Sequence, residues 1–595
     1  MTENYARNYS DMNHPSSVSG VGAFAEFILP QNEEWSNLGF GSTVIIEDRR
    51  DDEKIWMSGQ VTEIKSLSPF LSDRNILLYN SGGETNESIS MLDELRGPHN
   101  EQQLIAKVKI DVELTKDNGH YVQNPIQKPA SNWSRMRIPA MLENESGIPS
   151  ISEILGLKKK GVEIGFVGSG NQPNEENGQF LPYYLDIEKL DNKHHFIVGE
   201  SGSGKTVLLK KMAYEFRRTE IEGQKPRVIM TDVQGDLLQL MMSSIIPSIQ
   251  KKGWQSKLPD TKSTADAIDD MGPFQLILPV SRGQDDKLAS AIKKVVENNG
   301  HKVVEVGLRL QDVDHIGEIE YLLRLSSEQA VLVLEDEMEN IASSNNQVTR
   351  DRLTGALKRR IYEADQSEGK EKQVTTSQGN KFYKSSFLAA LRGLRALRDI
   401  FDHHEDSMLK NENPLNCLKF EGTSVFYLEH LDEEERLMWG MQLVKWLYEN
   451  KREDGQFFVF IDEAHQLIPA KPPEAGRSGT FPRLRDNFEK LAREGRKFGI
   501  NLILGTQSPR DLHPIVPQQC PTKIVMKINK GNARAAEIDE GEVRIASRFG
   551  QGQMWLKSPF NGTPENIRLH SPAPPLPHQS MTRFWAKLVD EAKRI

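Results

Sequence analysis

His195-Phe196-Ile197-Val198-Gly199-Glu200-Ser201-Gly202-Ser203-Gly204-Lys205-Thr206 is the stretch that decides the fold. A short apolar strand runs into a loop that fits G-x-x-x-x-G-K-[ST], and Val207–Phe216 continues as a helix. Gly199, Gly202 and Gly204 free the backbone to turn its N–H groups toward phosphate oxygens, with Ser201 and Ser203 between them. The helix N-terminus adds its positive dipole end. Lys205 is expected on the β- and γ-phosphates of ATP, and Thr206 as a ligand of Mg²⁺.

A phosphate loop of this kind needs an acidic partner at the end of a neighbouring strand. Phe457-Phe458-Val459-Phe460-Ile461-Asp462-Glu463 supplies one. Asp462 is expected to hold Mg²⁺ through water, and Glu463 to orient and deprotonate the attacking water. Val331-Leu332-Val333-Leu334-Glu335-Asp336-Glu337 has the same outline, four apolar residues and then acids. Ser326-Ser327-Glu328 before it reads as a helix start, however, and Met338 and Ile341 continue a helical spacing, so this segment is expected to be a helix outside the site.

Strands and helices alternate outward from the phosphate loop: a helix over 206–219, a strand at Arg227–Asp232, strands at Phe274–Val280 and Ser424–Leu428, a helix at Glu433–Asn450, the acid strand, a helix at Arg483–Phe498 and a strand at Asn501–Thr506. That order predicts an α/β core with a parallel sheet covered by helices. Gln507, at the end of the last of these strands, either senses the γ-phosphate or caps the turn. Asp232-Val233-Gln234-Gly235-Asp236 either shapes the nucleotide pocket or makes a strand-to-helix turn. Arg493 and Arg496 sit three apart on one helix face. They are either fingers reaching a neighbouring subunit's nucleotide or a solvated basic helix end.

The remaining chain divides by composition. Residues 1–19 are polar and read as a mobile arm. Residues 20–115 carry strand candidates at Val21–Leu29, Ser42–Glu47, Lys54–Ile64 and Leu104–Leu114, with a polar loop from Ser81 to Glu101, and suggest a small β-barrel. Residues 116–160 form a connector. The core is expected over 161–283, where Gly161–Val167 and Pro182–Ile187 are short strands, and over 416–570. A helical insertion fills 284–415, and an extension of Pro-rich segment and short helix closes 571–595.

Composition narrows the class. The chain has 595 residues, 37% hydrophobic and 27% charged, enough for three or four domains and a sizeable core. The only cysteines, Cys417 and Cys520, exclude a disulfide framework and a Cys-based zinc site. No apolar run reaches membrane-spanning length and the N-terminus is polar, so a cytoplasmic protein is expected. A net charge of −10 argues against an evenly basic nucleic-acid-binding surface but leaves room for a basic ring lumen.

Gly199–Thr206, Asp232–Asp236, Ile461-Asp462-Glu463-Ala464-His465, Ala492-Arg493-Glu494-Gly495-Arg496-Lys497-Phe498-Gly499 and Gly505-Thr506-Gln507-Ser508-Pro509 resemble, in order and spacing, the HerA branch of the HerA/FtsK ATPases. The likeness runs over roughly residues 20–570, and the Ala492–Gly499 stretch is its most specific part. Gln234 and Asp236 depart from the family pattern. The resemblance implies a RecA-like P-loop core with an inserted helical bundle and an N-terminal barrel of the HerA/ATP-synthase type. It implies a homohexamer that hydrolyses ATP and translocates double-stranded DNA through a central channel. It further implies a nuclease or sirtuin-like NAD-cleaving effector, expected to dock on residues 20–115, and a setting in DNA end processing or anti-phage defence. The alternative is an ATPase scaffold ring that assembles and activates the effector with little translocation of its own.

Overall fold

The computed structural model describes residues 6–8, 23–29, 38, 41–50, 53–67, 103–117, 120–126, 130, 134–138, 149–169, 172–176, 178–185, 194–221, 223–259, 262–280, 286–323, 325, 327–344, 346–366, 373–397, 401, 413–451, 455–470, 480–538, 540–558 and 566–595. The chain forms two compact units: residues 1–186 with 539–572, and residues 187–538 with 573–595. These boundaries differ from those expected of the sequence. The strands Val162–Ser169 and Pro182–Leu185, assigned above to the ATPase core, fall in the first unit, as do Gln553–Lys557 and Asn566–His570. The loop from Ser81 to Glu101 lies outside the described residues.

In the first unit, two long antiparallel strands, Glu53–Leu67 and Gln103–Asp117, form the spine of a sheet. Pairing proceeds from Gln103–Asp117 through Glu53–Leu67, Thr43–Arg50, Arg135–Arg137 and Ala6–Asn8 to Ala23–Leu29, which pairs back with Gln103–Asp117. All six pairings are antiparallel. Alternate side chains point to one buried face, where Phe27, Val44, Ile46, Met57, Val108, Ile110 and Met136 pack. Two sequence expectations change here. Ala6–Asn8, placed in the polar arm, is a strand; the rest of the arm lies outside the described residues. Arg135–Arg137, placed in the connector, completes the strand circuit, and His120–Asn124 adds to its edge. A three-residue strand carries too little periodicity to stand out from a polar sequence.

The second unit is built on eight parallel strands in the order Thr522–Val525, His195–Val198, Ile500–Thr506, Phe457–Ile461, Arg227–Asp232, Thr423–Tyr427, Phe274–Pro279 and Lys302–Val306. Sheets of this kind are covered on both faces, so central strands read as unbroken apolar runs. His195–Val198, Phe457–Ile461 and Ile500–Thr506 are buried at every position. The helix Lys205–Arg218 covers one face with Leu208, Leu209, Met212, Ala213 and Phe216, and the Phe216 ring stacks on Phe458 with centroids 4.3 Å apart.

The edge strand of this sheet escapes the sequence reading. Lys302–Val306 lies inside the span assigned to the helical insertion, yet it pairs in parallel with Phe274–Pro279. Its Lys and Glu belong to an edge strand that is only partly covered. The insertion is therefore shorter than 284–415. Its helices Glu328–Ser343, Arg350–Gln366 and Lys384–Ala396 pack with a small hairpin, Gln373–Thr375 and Lys381–Tyr383.

Candidate nucleotide site

The phosphate loop follows the strand His195–Val198, as its motif requires. Gly202 and Gly204 take φ values of +78° and +98°, the left-handed region in which a side chain is strained. Ser201 and Gly202 form an exposed crest. A Cβ on Gly199 would lie 2.6 Å from Ser203 Oγ and 2.9 Å from Met526 Cβ, so only glycine permits the tight turn. Gly204 caps the helix that begins at Lys205.

The strand order brings the other residues to the loop. Ile500–Thr506 lies between the phosphate-loop strand and the acid strand Phe457–Ile461, so three carboxyl ends converge. The buried Lys205 ammonium donates to Glu463 Oε1 and lies 3.4 Å from Asp462 Oδ1. Thr206 Oγ1 donates to Asp462 Oδ2 at 3.3 Å. Lys205, Thr206, Asp462 and Glu463, read from separate segments of sequence, thus form one cluster.

Glu463 occupies an unusual conformation. Its φ of +48° places a non-glycine residue in the left-handed region, at a cost of about 1–3 kcal/mol. The surroundings hold it there: its backbone N–H donates to Asp462 Oδ1 at 2.9 Å, and its Oε2 accepts the backbone N–H of Gln507 at 3.1 Å. Gln507 therefore meets the acid through its main chain, not through the amide on which the sequence reading centred. The Gln507 carbonyl accepts from Asn532 Nδ2 at 3.0 Å.

His465 is the group the motif reading left without a role. Its Nδ1 lies 3.0 Å from Thr506 Oγ1 and 3.4 Å from Glu463 Oε2. Burial lowers its pKa, against the pull of the Glu463 charge, and so favours neutral imidazole. The segment after Asp232 is a compact turn, which answers part of the choice left open above. Asp232 Oδ1 accepts the N–H groups of Gln234 at 3.3 Å and Gly235 at 2.7 Å, and Oδ2 accepts that of Leu238 at 2.7 Å. Burial pushes the Asp232 carboxyl up to about 7, although the N–H donors favour its charged form. Burial also raises Asp236.

Arg493 makes its ion pair on its own helix rather than with this cluster. The helix carrying Arg493 runs from Thr480 to Glu494 and tightens to a 3₁₀ turn over Gly495–Phe498, so the continuous helix expected over Arg483–Phe498 ends four residues early. Arg493 is 61% exposed and ion-paired with Glu489 at 2.5 Å. The Arg496 side chain lies outside the described atoms.

The donor set suits a magnesium nucleotide: a glycine-lined cradle, one buried ammonium, one hydroxyl and two carboxylates. Among the described residues no group of three or more His, Cys, Asp or Glu could hold a metal alone.

The family model for the central domain of helicase HerA matches residues 162–390, a span that includes the phosphate loop and the Asp232–Asp236 turn. Over that span the chain is similar to the HerA helicases. A probable helicase of Methanocaldococcus jannaschii is 20% identical over 524 residues, 84% of each chain. A probable DNA double-strand break repair helicase HerA from the same organism is 40% identical over 117 residues, 19% of this chain and 22% of that one. Among solved structures, a bacterial conjugative coupling protein matches 71% of this chain and 92% of its own, with 11% identity and a TM-score of 0.40. The RecA-like assignment of the core rests on its parallel strand order and phosphate loop. No helix among the described residues is long and apolar enough to cross a membrane.

Proposed function

We propose that this chain is a HerA-type ATPase, a DNA-translocating motor that works as a homohexamer, with Glu463 as the base that activates the attacking water. The observation that carries the reading is the placement of Glu463. It is held in a strained turn with one carboxylate oxygen on Lys205 and the other on the Gln507 N–H. A phosphate entering the loop competes for the same ammonium, so Glu463 is freed as a base when nucleotide is in place. Thr206 and Asp462 would hold Mg²⁺, which neutralises charge on the phosphate oxygens. Gln507, ending the strand between the loop and the acids, links phosphate and base. Arg493 or Arg496 would complete the site from a neighbouring subunit.

On this reading double-stranded DNA occupies the central channel, and a nuclease or NAD-cleaving effector docks on residues 20–115, in DNA end processing or anti-phage defence. The test is ATP turnover with and without linear duplex DNA, alongside displacement of a triplex-forming strand from that duplex. DNA-stimulated turnover with strand displacement is expected, and both should vanish in Glu463→Gln. Turnover indifferent to DNA, without displacement, would overturn the motor and favour a scaffold ring. Mixing Arg493→Ala with Lys205→Ala subunits should restore part of the lost turnover if the arginine acts across the interface.

A further inference from the structure

The C-terminal segment enters the neighbourhood of the nucleotide site by a route no motif announces. Lys210, five residues after Lys205 on the same helix, is 1% exposed. Its ammonium donates to the Pro577 carbonyl at 2.9 Å and lies 3.3 Å from His578 Nδ1. Burial and the nearby Lys210 charge push His578 down to about 4, which keeps the imidazole neutral and its Nδ1 able to accept. Burial pushes Lys210 down to about 8, against the pull of Asp236, Asp232 and Asp462.

A second grip lies beside the first. Gln239 is fully buried and forms a reciprocal pair with the backbone of Gln579: its Nε2 donates to the Gln579 carbonyl at 2.9 Å, and its Oε1 accepts the Gln579 N–H at 2.7 Å. The same Nε2 lies 3.3 Å from Asp236 Oδ1. Asp236 rides on the turn folded around Asp232, and that turn leaves the sheet beside Asp462, because Thr231 pairs with Ile461 one residue earlier. The fit of the C-terminal helix Met581–Arg594 over this turn is close. A Cβ on Gly235, whose φ is +84°, would lie 2.6 Å from Met581 Cε and 3.2 Å from Trp585 Cζ2.

We propose that the strap Pro577–Gln579, anchored on Lys210, is a positioning element of the nucleotide site: through Gln239 it fixes Asp236 as a third acid beside Asp462. There Asp236 serves as an acceptor for the waters of a nucleotide-bound divalent cation. Gln239 and the strap touch no substrate; they act through Asp236. This rests on the ATPase reading and adds to it an element that arrives from more than three hundred residues away in sequence.

The experiment uses the full chain with Gln239→Ala, Asp236→Asn and the double variant. Two quantities are read: steady-state turnover, and the Mg²⁺ concentration giving half-maximal thermal stabilisation by ATPγS, which needs no turnover. Each single variant should raise that Mg²⁺ midpoint about 5-fold and lower kcat about 10-fold, with KM for ATP within about 3-fold. The double variant should be no worse than the worse single one, since both act through the Asp236 carboxylate. Gln239→Met, which preserves volume, replaces Gln239→Ala if the latter fails to fold. An unchanged Mg²⁺ midpoint in the Gln239 variant, or losses that multiply in the double variant, would overturn the proposal. Failure of the ATPase reading looks different: wild type and Lys205→Ala would be stabilised by ATPγS to the same extent.

Discussion

Two segments of this chain have nearly the same outline and opposite fates. Phe457–Glu463 and Val331–Glu337 each set apolar residues before acids. The first is a strand buried at every position, and its acids emerge at the sheet's carboxyl edge beside Lys205. The second lies within the helix Glu328–Ser343, whose buried residues, Ala330, Val333, Leu334, Glu337, Met338 and Ile341, keep helical spacing. Leu332 is 47% exposed. Its acids hold a hairpin turn: Glu337 accepts from the Ser377 N–H at 2.9 Å and from Ser377 Oγ, and Asp336 Oδ2 accepts from Thr376 Oγ1 at 2.6 Å and Asn380 Nδ2 at 2.9 Å. Buried acids therefore do not identify a reactive site. What separates the two is the company they keep, an ammonium and a strained turn in one case and neutral donors of a hairpin, with Arg360 at 3.5 Å, in the other.

The sharpest way to break this comparison is to remove the charge from each acid. Glu463→Gln should lower ATP turnover by about 10²–10⁴-fold while nucleotide binding persists, and Glu337→Gln should leave turnover within about 2-fold. Equal losses in a steady-state ATPase assay would show that the helix acids also serve the chemistry. Next in size is the apolar part. Phe458→Ala empties a fully buried position against Phe216 and should cost about 3–5 kcal/mol in a guanidinium melt. Glu337→Ala leaves the Ser377 donors unsatisfied and should cost about 1–3 kcal/mol, with turnover preserved. A shift in turnover larger than the shift in stability would contradict a purely structural role. The smallest effect belongs to Leu332→Ser on the exposed face, which should move stability by no more than about 0.5 kcal/mol; a larger loss would mean that this helix face is covered in the assembled protein.

Chemistry written in short stretches was legible early. Gly199–Thr206 fixes its own turn, because the glycines, the lysine and the helix start act within eight residues. The strand of Phe457–Ile461 was legible because a central parallel strand needs apolar groups on both faces. The helix of Val331–Glu337 was legible from Ser327 before it and Met338 and Ile341 after it. Edge strands such as Lys302–Val306 were not legible, since partial cover removes the apolar run that would announce them.

What the sequence determined by itself is the inventory: a phosphate loop, an acid pair, a polar strand end and the class of sheet that presents them. Only the tertiary structure decided which strands are neighbours. Ile500–Thr506 follows Phe457–Ile461 in the chain, yet it inserts between that strand and the phosphate-loop strand, and this puts the Gln507 N–H on Glu463. It also decided that Pro577–Gln579 close over Lys210 and Gln239. The physical reason is the same in both cases. Local conformation follows from steric preference and apolar period within a few residues. Strand order and the burial of a lone lysine are instead settled by contacts between segments tens to hundreds of residues apart, which leave no periodic trace in either one.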